Sequence, residues 1–349
     1  MIYNNLVFHN VEEVRQIDGL PGIRLQKVPE NIRNKLSEWG QIVVQFAGNS
    51  EIRFVPETSK ISFTLAAHKD KVRADIWFGE FPSALRFDID KTPVRIDLDF
   101  DGPHYHSPKY LLKLPENMDN SLGFSPRVCR LRFWNEGEGH IHLLEMPTPE
   151  KIRLPEKNEV PRRTLLAYGT SITFGFRASG VHLSYPAVCA SMLKTDLLNF
   201  GMPGSAFCEK ELADCLAQRK DWDMAILELS VNMVDSYSVG DFYERVSYMV
   251  NVMSASNIHR PVFCITLLPY HDDILGELSR EKRFGKPEEY RDALRRAVAN
   301  CRNENVYLIE GRDLLTDIRG LTSDLIHPGD SGMIEIGNKL SAIISSKLA

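Results

Sequence analysis

The residues of this 349-residue chain that could do covalent chemistry together lie in its second half. A serine stands in Tyr168-Gly-Thr-Ser171-Ile-Thr-Phe-Gly175, and glycines recur in Asn199-Phe-Gly201-Met-Pro-Gly204. An asparagine sits in Leu229-Ser-Val-Asn232-Met, and a carboxylate and an imidazole share Ser323-Asp324-Leu-Ile-His327-Pro328. Acyl transfer needs a nucleophile, a base, a group that orients the base, and donors for the developing oxyanion. Ser171 can attack once His327 takes its proton. Asp324, three residues before the histidine, can bond the other ring nitrogen and fix the tautomer. The backbone N–H groups of Ser171 and Gly201 and the side-chain amide of Asn232 can point at the oxyanion. Taken singly, these are a turn serine, a turn glycine, a capping asparagine, an N-cap aspartate and a surface histidine. Only their conjunction points to acyl transfer.

Position decides whether they can meet. Apolar runs that read as buried strands are Thr164–Tyr168, Asp196–Phe200, Met224–Leu229, Val262–Leu267 and Val306–Ile309. Helical stretches lie near 184–194, 208–219, 241–256 and 286–302, and a last one spans 331–347. In that last stretch Met333, Ile336, Leu340, Ile343 and Ile344 recur at helical spacing and build one apolar stripe. Strands alternating with helices predict a five-stranded parallel sheet covered on both faces. Sites in such sheets form at the carboxyl ends of the strands, and each candidate residue follows a predicted strand. The α/β-hydrolase elbow, GxSxG, is disfavoured because Thr173 stands where its second glycine belongs.

The first half has a different period. From about residue 40 to 146, Val94, Ile96, Leu98 and Phe100 alternate with Arg95, Asp97 and Asp99. Ile61, Phe63 and Leu65 alternate with Ser62 and Thr64, and Cys129, Leu131 and Phe133 with Arg130 and Arg132. Such alternation places one face in a core and the other in water, which predicts an antiparallel, jelly-roll-like sandwich. Pro147, Pro149, Pro155 and Pro161 then mark a linker. The expected division is an all-β accessory domain over 1–150, a linker over 151–163 and a catalytic α/β domain over 164–349.

Composition narrows the partners. A formal charge of −5 argues against nucleic acid and anionic membranes. No apolar run is long enough to span a bilayer, and no secretory leader is evident. The six cysteines lack a paired spacing and read as reduced thiols of a cytoplasmic protein.

Over roughly residues 163–349 the chain resembles the SGNH hydrolase superfamily, the GDSL-like esterases and lipases. Four blocks there supply Ser, Gly, Asn and His, matched here by Ser171, Gly201, Asn232 and the Asp324-Leu-Ile-His327 block. Thr170 replaces the aspartate of Gly-Asp-Ser, while Ser230 and Met233 depart from the Gly-x-Asn-Asp block. The resemblance implies a flavodoxin-like α/β/α sheet, no metal or other cofactor, and a serine nucleophile at 171. By analogy with some carbohydrate esterases and related acyltransferases, the β-rich domain and the resemblance imply a short acyl ester, such as acetyl on a sugar. Transfer to an acceptor other than water with the same residues, or carbohydrate binding without catalysis, are the alternatives.

Other candidates carry less. His104 and His106 form a His-x-His pair with no identifiable third ligand. His140 and His142 alternate with Ile141 and Leu143 and read as the wet face of a strand. Leu267-Leu-Pro-Tyr270-His271-Asp-Asp273 follows the fourth strand, which makes Tyr270 and His271 candidate substrate contacts. Arg291, Arg295 and Arg296 share a helix with Glu288 and Glu289 and read as a solvated face.

Overall fold

In the computed structural model, residues 1–115, 118, 122–229, 231–234, 236–276 and 284–348 are described. The chain forms two compact units. One comprises Met1–Arg33, Ile42–Arg162 and Lys194–Asp196; the other comprises Asn34–Gln41, Arg163–Leu193 and Leu197–Ala349. The chain therefore crosses between units more than once. An early segment, Asn34–Gln41, belongs with the second half.

The first unit contains strands β1 (Ile2–Tyr3), β2 (Leu6–His9), β3 (Glu13–Gln16), β4 (Ile23–Gln26), β5 (Glu51–Pro56) and β6 (Lys60–His68). It continues with β7 (Val72–Phe78), β8 (Phe81–Ile89), β9 (Val94–Asp99), β10 (Cys129–Trp134), β11 (His140–Glu145) and β12 (Ile152–Arg153). They build two antiparallel sheets, ordered β1-β2-β5-β10-β7-β8 and β3-β4-β11-β6-β9. The short β12 pairs with β5 inside the stretch expected to be a linker. Phe8, Ile52, Phe54, Phe63, Leu65, Ile96, Leu131, Phe133 and Ile141 form the core of this sandwich. Strand β9 follows its predicted alternation: Ile96 and Leu98 are buried, and Arg95, Asp97 and Asp99 are exposed.

Two polar faces expected to meet water are buried instead. Arg130 and Arg132 on β10 turn to Glu51: Arg130 Nη2 donates to its Oε1 at 2.7 Å, and Arg132 Nε lies 2.9 Å away. Arg53 donates to Glu51 and, through both terminal nitrogens, to Asp196 at 2.6 and 2.8 Å. Aromatic rings complete the cover, with Phe124 under the Arg130 guanidinium at 3.9 Å and Trp77 under that of Arg132 at 4.7 Å. Burial alone would push the Glu51 carboxyl up; three guanidiniums outweigh it and hold it well below the usual carboxylate range.

His140 and His142 are the second buried face, 8% and 2% exposed, beside Arg24 and His68. Burial, and then the Arg24 guanidinium, depress His140 from 6.5 to about 3 and His142 to about 4. Both imidazoles are thus neutral in the folded chain.

In the second unit, save for Asp196, the strands are β13 (Thr164–Gly169), β14 (Asp196–Gly201), β15 (Met224–Glu228), β16 (Val262–Ile265) and β17 (Val306–Ile309). They form one sheet in the order β14-β13-β15-β16-β17, and the pairs β13–β15, β15–β16 and β16–β17 are parallel. Each of these strands lies within about two residues of its sequence-based bounds. Helices Tyr185–Leu193, Lys210–Gln218, Val239–Ala255, Pro287–Ala299 and Asp330–Leu348 connect and cover the sheet. The last buries Met333, Ile336, Leu340 and Ile344 as the stripe requires, while Gly337 lets it close on Val188, 2.6 Å from where a Cβ would stand. The strand order reverses beside β13, and at such a switch point loops diverge and open a crevice.

None of the six cysteines is in a disulfide. Among the described residues no helix is long and apolar enough to cross a membrane, and no cluster of three or more His, Cys, Asp or Glu is placed to hold a metal.

The histidine burial sets a pH dependence. The unfolded chain binds protons at these two sites below pH 6.5, whereas the folded chain excludes them until about 3 and about 4. Stability is therefore fully present above 6.5 and falls as the pH drops below it, by about 1.4 kcal/mol per pH unit for each histidine. Urea midpoints measured across that range should decline with acidification. A midpoint that stays constant contradicts the assigned burial.

Candidate active site

The loops at the carboxyl ends of β13, β14 and β15 converge with the turn before the last helix. After β13 the chain makes one short helix, Ser171–Phe174, capped by Thr170, whose Oγ1 accepts the Ile172 N–H at 3.2 Å. Gly175 ends it at φ 94°, a left-handed conformation that favours glycine. Ser171 is thus the first helical residue, buried with the rest of that turn.

Ser171 Oγ and His327 Nε2 are 2.8 Å apart, and His327 Nδ1 lies 2.8 Å from Asp324 Oδ2. The second carboxylate oxygen, Oδ1, accepts the backbone N–H groups of Ile326 and His327, each at 2.9 Å, and the Thr322 hydroxyl at 3.0 Å. Wrapping the chain this tightly puts Leu325 at φ 53°, a strain of about 1–2 kcal/mol for a residue with a Cβ. Burial opposes the Asp324 charge. Donors from the His327 amide, the His327 ring, Ile326 and Thr322 outweigh it and hold the carboxyl far below its ordinary value. Ionised Asp324 fixes Nδ1 as the protonated nitrogen and leaves Nε2 as the acceptor for Ser171. Phe176 packs against the imidazole with ring centroids 5.0 Å apart.

The candidate donors separate. Asn232 Oδ1 accepts the Ala206 N–H at 3.2 Å, which orients the side chain and leaves its NH₂ without an acceptor among the described residues. The Ser171 amide opens its short helix and likewise meets no acceptor there. Gly201 departs from the expectation. Its N–H donates to Asn199 Oδ1 at 2.8 Å, and Asn199 Nδ2 in turn donates to Thr173 O at 2.8 Å. Gly201 serves close packing instead: a Cβ there would stand 2.2 Å from Phe174 N. The amide on this loop that meets no acceptor among the described residues is that of Gly204, at φ 67°. The Gly-x-x-Gly spacing of 201 and 204 was the signal; which amide is engaged depends on the Asn199 side chain.

Trp39 was not legible as part of this neighbourhood. Its Nε1 donates to Pro203 O at 2.8 Å, and Ser37 N donates to Glu209 Oε1 at 2.6 Å, so the early segment is tied to the Gly204 loop. The two candidate substrate contacts after β16 differ in exposure. Tyr270 is 2% exposed with its hydroxyl on Asp272 at 3.1 Å, which withdraws it from substrate, while His271 keeps a partly open ring with Nδ1 2.8 Å from Asp272 Oδ1. Arg291 is fully buried rather than solvated. It donates to Leu267 O at 2.9 Å and to both oxygens of Asp273 at 2.8 and 2.7 Å, which pins the segment after β16. Arg295 pairs with Glu288, Asp292 and Glu310, and Arg296 lies over the Tyr243 ring. His104 packs on Tyr105 and Tyr110 in a loop of the first unit. Ser230 lies outside the described residues.

Residues 162–345 match the GDSL-like lipase/acylhydrolase family. No curated protein matches the chain. Among solved structures, a salicylyl-acyltransferase, SsfX3, from a tetracycline biosynthetic pathway superposes with a TM-score of 0.75 at 12% identity, covering 98% of this chain and 94% of its own. An acetyl xylan esterase, Est2A, from the rumen bacterium Butyrivibrio proteoclasticus gives 0.60 at 11% identity over 100% and 96%. A family two carbohydrate esterase from Cellvibrio japonicus gives 0.59 at 11% identity over 99% and 95%. These likenesses extend through both units and establish the fold.

The packing at Gly201 is a direct test of this geometry. Gly201→Ala should destabilise the protein by about 3 kcal/mol or more, since the contact is with backbone that cannot rotate away. Thermal melts check it; an unchanged melting temperature contradicts the close approach.

Proposed function

The chain belongs to the GDSL-like lipase/acylhydrolase family, and on that premise we propose that it hydrolyses a short-chain acyl ester, acetyl on a carbohydrate foremost, through an acyl-Ser171 intermediate. The observation that carries the reading is the continuous chain Ser171 Oγ–His327 Nε2 and His327 Nδ1–Asp324 Oδ2, 2.8 Å at each link.

His327 Nε2 takes the Ser171 proton as Oγ attacks the ester carbonyl, and Asp324 stabilises the imidazolium that results. The carbonyl oxygen, now an oxyanion, is met by the amides of Ser171 and Gly204 and by the Asn232 NH₂ group, each worth about 3–4 kcal/mol at the transition state. Collapse expels the alkoxide, which leaves with the proton held on Nε2. Water then enters and loses its proton to the same nitrogen as it attacks the acyl carbon, and collapse returns that proton to Ser171 Oγ as the acid leaves. No step calls for a metal or an organic cofactor. The N-terminal sandwich is read as an accessory domain. Acetyl xylan esterase and carbohydrate esterase neighbours support an acylated sugar as substrate.

Acyl transfer to an acceptor other than water is the second reading, and the fold likeness to the salicylyl-acyltransferase favours it. Both readings share every step up to the acyl-enzyme.

With p-nitrophenyl acetate, Ser171→Ala should lose at least about a thousandfold in kcat with its circular dichroism unchanged. Asn232→Ala should lose roughly a hundred- to a thousandfold. Activity retained in the serine variant overturns the proposal. Added alcohol acceptors that divert the acyl group at the expense of free acid identify the transferase; release of acid alone identifies the hydrolase.

A further inference from the structure

Beneath the nucleophile turn lies a second carboxylate that the mechanism above does not use. Glu228 is the last residue of β15, and β15 is hydrogen-bonded to β13, with Leu227 opposite Tyr168. It is 0% exposed. A buried carboxylate is tolerated only when donors surround it. Here Oε2 accepts the Thr170 N–H at 2.8 Å, the Thr170 hydroxyl at 2.6 Å and the Thr173 hydroxyl at 3.2 Å.

The direction of these bonds follows from the donors present. Thr170 Oγ1 gives its proton to Glu228 and uses a lone pair to accept the Ile172 N–H. Thr173 gives its proton to the same oxygen, so the Tyr185 hydroxyl, 2.7 Å from Thr173 Oγ1, donates to Thr173. Ser171 is therefore bracketed, at 170 and at 173, by hydroxyls anchored to one oxygen atom. Gly169 completes the cradle, since a Cβ there would stand 2.2 Å from Thr173 Oγ1 and 2.8 Å from Glu228 Oε2.

We propose that Glu228 is the positioning residue of the nucleophile: acting through Thr170 and Thr173, it fixes the turn that aims Ser171 Oγ at His327. This rests on the reading of Ser171 as nucleophile. It also accounts for the departure at position 170, where the related motif carries aspartate. A threonine donates to a neighbouring carboxylate, whereas an ionised aspartate cannot. Thr170 and Glu228 are a matched donor–acceptor pair, and an aspartate at 170 would set two carboxylates against each other in a buried space.

The matched pair predicts a rescue that a merely stabilising contact does not. Five forms are assayed on p-nitrophenyl acetate: the native protein, Ser171→Ala, Glu228→Gln, Thr170→Asp and the double variant Thr170→Asp/Glu228→Gln. Glu228→Gln should lower kcat by roughly ten- to a hundredfold through a misplaced nucleophile, with KM changed less than about threefold. Thr170→Asp should be at least as damaged. The double variant, in which the introduced side-chain amide can donate to the introduced carboxylate, should recover about tenfold or more over Thr170→Asp alone. Glu228→Gln with native kcat, a change confined to KM, or a double variant no better than Thr170→Asp overturns the proposal. Should Glu228→Gln not fold, Thr170→Ser and Thr170→Val decide instead: the hydroxyl-bearing variant should keep native kcat and the valine variant lose it, and equal activity overturns the proposal. An inert Ser171→Ala beside fully active Thr170 and Glu228 variants removes the positioning role alone. An active Ser171→Ala removes the nucleophile and the positioning role together.

Discussion

One hydrogen bond, 2.8 Å long, joins side chains 156 residues apart, and the rest of the second unit is arranged so that it can form. Ser171 and His327 sit on opposite flanks of the parallel sheet's chain path: one opens the helix after the first strand, the other ends the turn before the last helix. Neither segment is regular enough to hold a position unaided. The serine helix is a single turn of four residues, and the histidine loop carries a left-handed leucine. Order comes from polar anchors around them.

Those anchors share a logic. On the base side, Asp324 divides its two oxygens: Oδ2 faces the imidazole, and Oδ1 gathers two backbone amides and a hydroxyl. The same donors that shape the loop keep the carboxyl ionised, so loop geometry and the tautomer of His327 are fixed together. Near the Ser171 turn, the Asn199 side chain ties Gly201 N–H to Thr173 O, while Asn232 is steered by the Ala206 amide. The amides of Ser171 and Gly204 and the Asn232 NH₂ group, which meet no acceptor among the described residues, are the donors assigned to the developing charge in the proposed reaction.

Much of this was legible in the sequence wherever the cause is local. The period-two pattern of β9 and the stripe of the last helix report burial directly, because one element decides which of its faces is apolar. The Asp324-x-x-His327 spacing reports a turn that brings carboxylate and imidazole together. Long-range pairing was not legible. Arg130 alternates with core residues as a surface arginine would, yet Glu51, 79 positions away, takes it into a dry cluster. His140 and His142 alternate in the same way and are covered. Arg291 looks like one charge among many on a helix until the carbonyls after β16 are in place around it. The exchange of Gly201 for Gly204 as the open amide turns on one side chain, and the docking of Trp39 depends on a chain crossing that no local period records.

Activation of Ser171 by His327 can be read out by covalent labelling. The protein is treated with a fluorophosphonate, digested and mapped by mass spectrometry, beside a His327→Ala variant. The phosphonyl mass is expected on the peptide bearing Ser171, and it should nearly disappear when the imidazole is removed. Labelling at another residue, or labelling of Ser171 that proceeds equally well without His327, would contradict it.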